Sequence, residues 1–256
     1  MKHAFLIPAY NPGKLLPQVL EGLRCAMVEA GLQDVPIILV DDGSTDETRH
    51  LEDPSLSIIR LPQNRGKGAA LQVGLIFSKD RNIEQVVTLD ADAQHPPKEA
   101  VRLLLHPAPA QNLLLGVRDM SGTGAPRASQ LSNRFSNFML SLMGGEKLLD
   151  TQCGLRRYPV RETLALGAKH PGYAYESEVV LRAARKGLPI THEKTAVFYP
   201  SSKERVSYFH SVRDPAQIVV QIVLATLTIS HVRPGRRWAR RALIATLVLV
   251  GGSFLW

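Results

Sequence analysis

The chain has 256 residues, 45% of them hydrophobic, enough to bury a sizeable core in one domain or one domain with an appendage, so wholesale disorder is excluded. Its only cysteines, Cys25 and Cys153, have no CxxC spacing, which excludes a disulfide framework or a cysteine zinc module and fits a reducing cytoplasmic setting. The net charge of +8 is concentrated late in the chain, where Arg233, Arg236, Arg237, Arg240 and Arg241 precede an apolar tail; a nucleic-acid face would interleave such charge with stacking aromatics instead.

From residue 1 to about 120, short apolar runs alternate with helical patterns. "HAFLIPA" reads as a strand, "KLLPQVLEGLRCAMVEAG" as a helix, "VPIILVDDG" as a strand, "TDETRHLE" as a short helix and "LSIIRLP" as a strand. Next come "GKGAALQVGLIFSK" as a helix, "IEQVVTLDAD" as a strand, "PKEAVRLLL" as a helix and "NLLLGVRD" as a strand. This order argues for an α/β fold with a mostly parallel sheet covered by helices on both faces. The amino terminus has too short an apolar run before Pro8 and Asn11 to read as a signal peptide.

Beyond residue 121 the pattern changes. "ASQLSNRFSNFMLSLMG" reads as a helix, "DTQCGLRRYP" as a polar patch, "GYAYESEVVLRAARKG" as another helix and "LPITHEKTAVFYP" as a further strand. Two apolar segments follow, "DPAQIVVQIVLATLTISHV" and the tail ending at Trp256. Each is about 15 residues long, short of the roughly 20 of a clean membrane span. Both fit helices lying in a membrane interface, the last fits the start of a span, and a pair of core helices with a basic turn is the plain alternative. The expected division is a catalytic domain over 1–210 and membrane-associating helices over 211–256.

In an open parallel sheet, ligands bind beyond the carboxyl ends of the strands, so the loops after each strand are where chemistry is sought. They read "PAYNP", "DDGSTD", "NRGKG" and "DADAQH". Asp90 and Asp92, one residue apart, must repel unless a partner balances them. Oxygen ligands from Asp90, Asp92 and the Gln94 amide suit Mg²⁺ or Mn²⁺. A solvated acidic turn, with Asp90 capping the helix near Pro96, is the other reading. Asp41 and Asp42 suit a ribose hydroxyl or base N–H, or else a turn capped by Ser44 or Thr45. "NRGKGAAL" opens a helix with Gly66, Lys67 and Gly68, where glycines let a ligand near the backbone and the helix terminus favours phosphate; the spacing is not that of a P-loop.

Taken together, "PAYNP" at 8–12, "VDDGSTDET" at 40–48, "NRGKGAALQVG" at 64–74 and "LDADAQHPP" at 89–97 closely resemble the family 2 glycosyltransferases with the Rossmann-like GT-A fold. The branch they look like is the dolichol-phosphate or polyprenyl-phosphate mannosyl- and glucosyltransferases, over roughly residues 3–210. The resemblance implies inverting transfer from a nucleotide-diphosphate sugar to a lipid acceptor at the cytoplasmic face of a membrane. It places Pro8, Ala9, Tyr10, Asn11, Asp41, Asp42, Lys67, Asp90, Ala91, Asp92 and Gln152 at the donor, with Asp90, Asp92 and Gln94 on Mg²⁺ or Mn²⁺. The cation and the diphosphate would then be what lets Asp90 and Asp92 coexist. Pro12 departs from the acidic residue common in the family after the asparagine, which weakens the nucleoside contacts implied there.

On the acceptor side the resemblance implies phosphate binding by Arg118 and Arg134, with solvated surface arginines as the plain reading, and a basic stretch at Lys203 and Arg205 that closes over the site. Gln152 and Gly154 would line the sugar pocket. Asp92 is the expected catalytic metal ligand, and Glu176 is the general-base candidate if the acceptor is a hydroxyl, though a helix-start carboxylate also serves as a dipole partner. His95, between Gln94 and Pro96, reads as an ordered neighbour of the site rather than a metal ligand. Transfer to a sugar or lipid hydroxyl, or a non-catalytic nucleotide-binding module at a membrane, are the remaining alternatives; a nucleic-acid partner is not expected.

Overall fold

A computed structural model describes residues 2–119 and 127–198. A seven-stranded sheet holds, in spatial order, β3-β2-β1-β4-β6-β5-β7, where β1 is His3–Ala9, β2 Ile37–Asp41, β3 Leu56–Arg60, β4 Gln85–Thr88, β5 Leu113–Arg118, β6 Arg156–Pro159 and β7 Ile190–Thr195. All pairings are parallel except those of β6, which runs antiparallel to both β4 and β5. The helices are α1 Leu15–Glu29, α2 Lys67–Asp80, α3 Pro97–Leu104, α4 Arg127–Gly144, α5 Val160–Ala165 and α6 Ala174–Lys186.

Alternation along the strands sorts the core into two layers. Leu6, Ile38, Val40, Val86 and Leu115 face one side, where they pack with Leu71 and Leu75 of α2, Leu140 of α4 and Val179 and Val180 of α6. Phe5, Ile7, Leu39, Val87 and Leu114 face the other and meet Leu16, Val19, Leu20 and Leu23 of α1 and Val101 and Leu104 of α3. The α1 stripe repeats at the three- and four-residue steps that put side chains on one helix face, and each buried leucine in it stabilises the fold by about 1.5–3 kcal/mol. Gly74 lets α2 lie against β1, since a β-carbon there would stand 2.4 Å from Leu6 Cδ1.

The strands and helices expected before residue 120 are present, with "TDETRHLE" reduced to a 3-10 turn over Glu47–His50. Its cap is Asp46, whose side chain accepts from Thr48 N at 3.1 Å, rather than Ser44 or Thr45. The polar patch over 150–159 is in part a buried strand. Arg156 and Arg157 of β6 are both buried: Arg156 shares a sheet face with Tyr158, whereas Arg157 turns to the α3 side. There Arg157 donates to the carbonyls of His106 (2.7 Å) and Ala108 (2.7 Å), closing the carboxyl end of α3 without a carboxylate partner among the described residues.

Lys203, Arg205 and the two apolar segments over 211–256 lie outside the described residues. Among the described residues no helix is long and apolar enough to cross a membrane.

Candidate functional site

Because β6 is reversed, its first residue lies level with the last of β4: Thr88 pairs with Arg156. The loop before β6 thus joins the loops after β1, β2 and β4 on one edge, and Thr88 Oγ1 fixes it there by donating to Gly154 O at 2.7 Å.

The centre of this edge is an ion cluster. Lys67, the first residue of α2, places Nζ 2.8 Å from Asp90 Oδ1 and 3.0 Å from Oδ2, and also 3.0 Å from Glu176 Oε2 in the first turn of α6. Burial works against the lysine's charge, but the Asp90 and Glu176 carboxylates outweigh it and hold the amine above the ordinary lysine range. Burial would raise Asp90 as well, yet the Lys67 ammonium holds that carboxyl below its usual range. Lys67 is thus a resident counter-ion of Asp90, in addition to the cation and diphosphate expected from the sequence. Asp90 also caps no helix, since α3 begins at Pro97 with no side-chain cap.

Asp92 differs. Its Oδ1 accepts from Gln94 N at 3.0 Å, and among the described residues its Oδ2 accepts no hydrogen bond. Burial, and then the neighbouring Asp90 carboxylate, push Asp92 above the usual carboxylate range. Ala93, at φ 58°, makes the tight turn that presents it. A half-buried carboxyl with an uncommitted oxygen fits a hard divalent cation. Among the described residues no group of three or more His, Cys, Asp or Glu side chains could hold a metal alone, so substrate oxygens or water would have to complete the shell.

The first two loops are wired to each other. Asn11, at φ 47°, accepts on Oδ1 from Thr45 N at 2.7 Å and Asp46 N at 3.2 Å, while its own N–H donates to Ser44 Oγ at 2.9 Å. Asp41 Oδ1 takes Ser44 N at 2.8 Å. Asp42 receives Arg65 N at 2.8 Å and Gly66 N at 2.7 Å, and burial lifts its carboxyl despite them. Pro8, Ala9 and Ala91 are buried beneath these loops, and Tyr10 is half-buried.

The glycines of "NRGKG" admit protein rather than ligand. A β-carbon on Gly66 would lie 2.6 Å from Pro171 O, and one on Gly68 2.3 Å from His170 O. Ala69 N donates to Pro171 O at 2.8 Å, so this first turn of α2 spends a donor on the 170–172 backbone instead of on phosphate.

On the far side, Arg118 at the end of β5 grips Asp150 with Nε to Oδ2 at 2.8 Å and Nη2 to Oδ1 at 2.7 Å. It is thus not a solvated surface arginine, whereas Arg134 is exposed on α4. Asn137 of α4 accepts on Oδ1 from Thr151 N at 2.8 Å, tying α4 to the loop that bears Gln152, which is half-buried. His95 is buried; Nδ1 lies 3.1 Å from Ala196 O and so must donate to it, leaving Nε2 to face Cys153 Sγ at 3.5 Å. Burial lowers its pKa, and the ring is a strut beneath the "DADAQH" loop.

One participant was not legible in the sequence. Arg156 donates to Cys153 O (2.7 Å), Thr151 O (2.8 Å) and Glu176 O (2.8 Å), and lies 3.8 Å from Glu176 Oε1. Gly154, expected from the resemblance to line the sugar pocket, stands over the Lys67–Asp90 pair. The one signal for Arg156 was a double arginine running into an apolar "YPV".

Comparison with known proteins gives consistent matches. The profile described as Glycosyl transferase family 2 matches residues 4–161. An undecaprenyl-phosphate mannosyltransferase of Micrococcus luteus is 28% identical over 208 residues, covering 75% of this chain and 83% of that protein. Among solved structures, glucosyl-3-phosphoglycerate synthase from Mycobacterium tuberculosis, in complex with Mn²⁺, UDP-glucose and phosphoglyceric acid, aligns at a TM-score of 0.64 with 23% identity, covering 89% of this chain and 79% of that one. A mannosyltransferase of Pyrobaculum calidifontis in complex with GDP-mannose and Mn²⁺ aligns at 0.54 with 19% identity, covering 98% and 75%. At these identities the structures establish a shared GT-A-like fold.

Proposed function

The chain belongs to glycosyl transferase family 2 and is a glycosyltransferase, and on that footing we propose that it moves a sugar from a nucleotide-diphosphate sugar to a polyprenyl phosphate with inversion at the anomeric carbon. The observation that carries the donor half is the edge where Lys67 holds Asp90 while Asp92 keeps an oxygen uncommitted. The relative from Micrococcus luteus supports the acceptor half, and the neighbours crystallised with UDP-glucose or GDP-mannose and Mn²⁺ support the donor and metal.

Asp92, with Asp90 and the Gln94 amide, would hold Mg²⁺ or Mn²⁺, which when bound stabilises charge on the departing diphosphate. The wired loops at Asn11, Asp41 and Asp42 give the nucleoside a fixed floor, and Lys67 fixes the Asp90 side chain beside the diphosphate. Gln152, half-buried on the loop before β6, would serve a sugar hydroxyl. On this reading Arg118, Arg134, Lys203 and Arg205 would serve the acceptor phosphate, and the arginine-rich tail would bring the enzyme to the cytoplasmic face of the membrane.

The test is transfer of radiolabel from UDP-glucose, UDP-N-acetylglucosamine or GDP-mannose, with Mn²⁺, to undecaprenyl phosphate or undecaprenol. Label extracted with the phosphate alone supports the reading. Label on undecaprenol points to a hydroxyl acceptor, and no label with any pair overturns transfer to a polyprenyl acceptor.

A further inference from the structure

Glu176 is the carboxylate that a hydroxyl-directed mechanism would use as a base, yet its surroundings suit a different task. Its Oε2 is 3.0 Å from Lys67 Nζ, its main-chain carbonyl accepts from Arg156 Nη1 at 2.8 Å, and its Oε1 lies 3.8 Å from Arg156 Nε. The residue is 5% exposed, and Oε1 has no hydrogen-bond partner among the described residues. A base must reach the proton it takes and must gain by taking it. Here the Lys67 ammonium and the Arg156 guanidinium face the carboxylate, and Lys67 lies between it and the Asp90 loop.

We propose that Glu176 is a positioning residue that acts through Lys67: from the first turn of α6 it anchors the ammonium over Asp90, so that helix α6 and the loop after β4 are set at one distance. Lys67 reaches both carboxylates from α2, so three separate elements meet on one nitrogen. Gly154 closes the cluster from the β6 side, because a β-carbon there would come within 2.9 Å of the same nitrogen. Without Glu176 the flexible lysine stem is held from the Asp90 side alone, and both Lys67 and Asp90 lose their fixed places at the donor.

This role rests on the glycosyltransferase reading, and the two can fail separately. The variants are Glu176→Gln, Glu176→Ala, Lys67→Met and the double variant Lys67→Met/Glu176→Ala. Each is assayed with the three labelled donors, Mn²⁺ and undecaprenyl phosphate, beside a melting curve. A glutamine oxygen still accepts from the ammonium but takes no proton. Glu176→Gln therefore keeps turnover within about tenfold of wild type with an unaltered pH profile, whereas loss of a general base costs about 10²–10⁴-fold. Glu176→Ala falls below Glu176→Gln, and its loss disappears in the Lys67→Met background because the two residues act as one unit. If Glu176→Ala does not fold, the glutamine variant and Lys67→Met carry the comparison.

Glu176→Gln as inactive as a base deletion, or a pH profile that loses its acid limb, overturns the role while leaving the transferase reading intact. So do additive losses in the double variant. A wild-type protein that transfers no label overturns the function and this role with it.

Discussion

The α-carbon of Gly154 faces the Asp90 carboxylate so closely that a β-carbon built on it would lie 2.2 Å from Oδ2. Neither group is free to retreat: Lys67 holds Asp90 from below and Thr88 holds the Gly154 carbonyl. Gly154→Ala should therefore displace the Asp90 side chain and lower sugar transfer by roughly 100-fold, the scale of a misplaced reacting group. Steady-state rates beside a melting curve check this; a rate within about threefold of wild type would show that the cluster tolerates the displacement.

Asp92→Asn removes a charge that burial and the Asp90 carboxylate disfavour, while keeping the bond from Gln94 N. Relief of the repulsion from Asp90 should raise stability in the absence of ligand by roughly 0.5–1 kcal/mol, the usual exchange of function for stability. Transfer should be lost, and so should the rise in melting temperature that Mn²⁺ with UDP or GDP gives the wild type. Urea denaturation and thermal shift measure the two effects, and a less stable variant that still transfers counts against the role given to Asp92.

Lys67→Met strands Asp90 and Glu176 together without their cation. Removing one partner of a fully buried pair costs about 3–5 kcal/mol, and the partial exposure of Asp90 brings the expectation down to roughly 2–4 kcal/mol. Adding Asp90→Asn in the same chain should recover part of that loss, and additive effects in a double-mutant cycle would deny the coupling.

Much of the scaffold was legible because residues 1–119 obey two simple periods: alternation in the buried strands and the helical stripe of α1. The loops after β1, β2 and β4 could be named as the site on topology alone. What escaped depended on contacts across long stretches of chain. The strand β6 was hidden because Arg156 and Arg157 look like surface residues; their charges are met by main-chain carbonyls of Cys153, Thr151, His106 and Ala108, which leave no mark in the sequence. For the same reason Gly66 and Gly68 read as room for a ligand, although the 170–172 backbone, a hundred positions on, fills it. The resident partner of Asp90 escaped at the same point, since Lys67 lies 23 residues earlier in the chain.

Ionisation of the buried core sets the alkaline limit. Burial pushes the Cys153 thiol up to about 12 and the Tyr158 phenol up to about 12. Folded-state values above the unfolded ones mean that the unfolded chain releases these protons first. Their stabilising share is complete below about pH 9 and is lost as pH rises toward about 12. Denaturant midpoints should fall across that window. At pH 8 the exposed Cys25 should react with a disulfide reagent while Cys153 reacts only on unfolding; two fast thiols would show that the site is open around Cys153.

The two-point grip of Arg118 on Asp150 joins the ends of the stretch that contains α4. A stretch buckled to itself in this way leaves and re-enters the sheet edge at one place, while Asn137 and Leu140 moor its helix to the Gln152 loop and to the core. Exchange of that insert for another sequence must therefore keep the buckle and both moorings if the edge that bears Asp90 and Gln152 is to keep its shape.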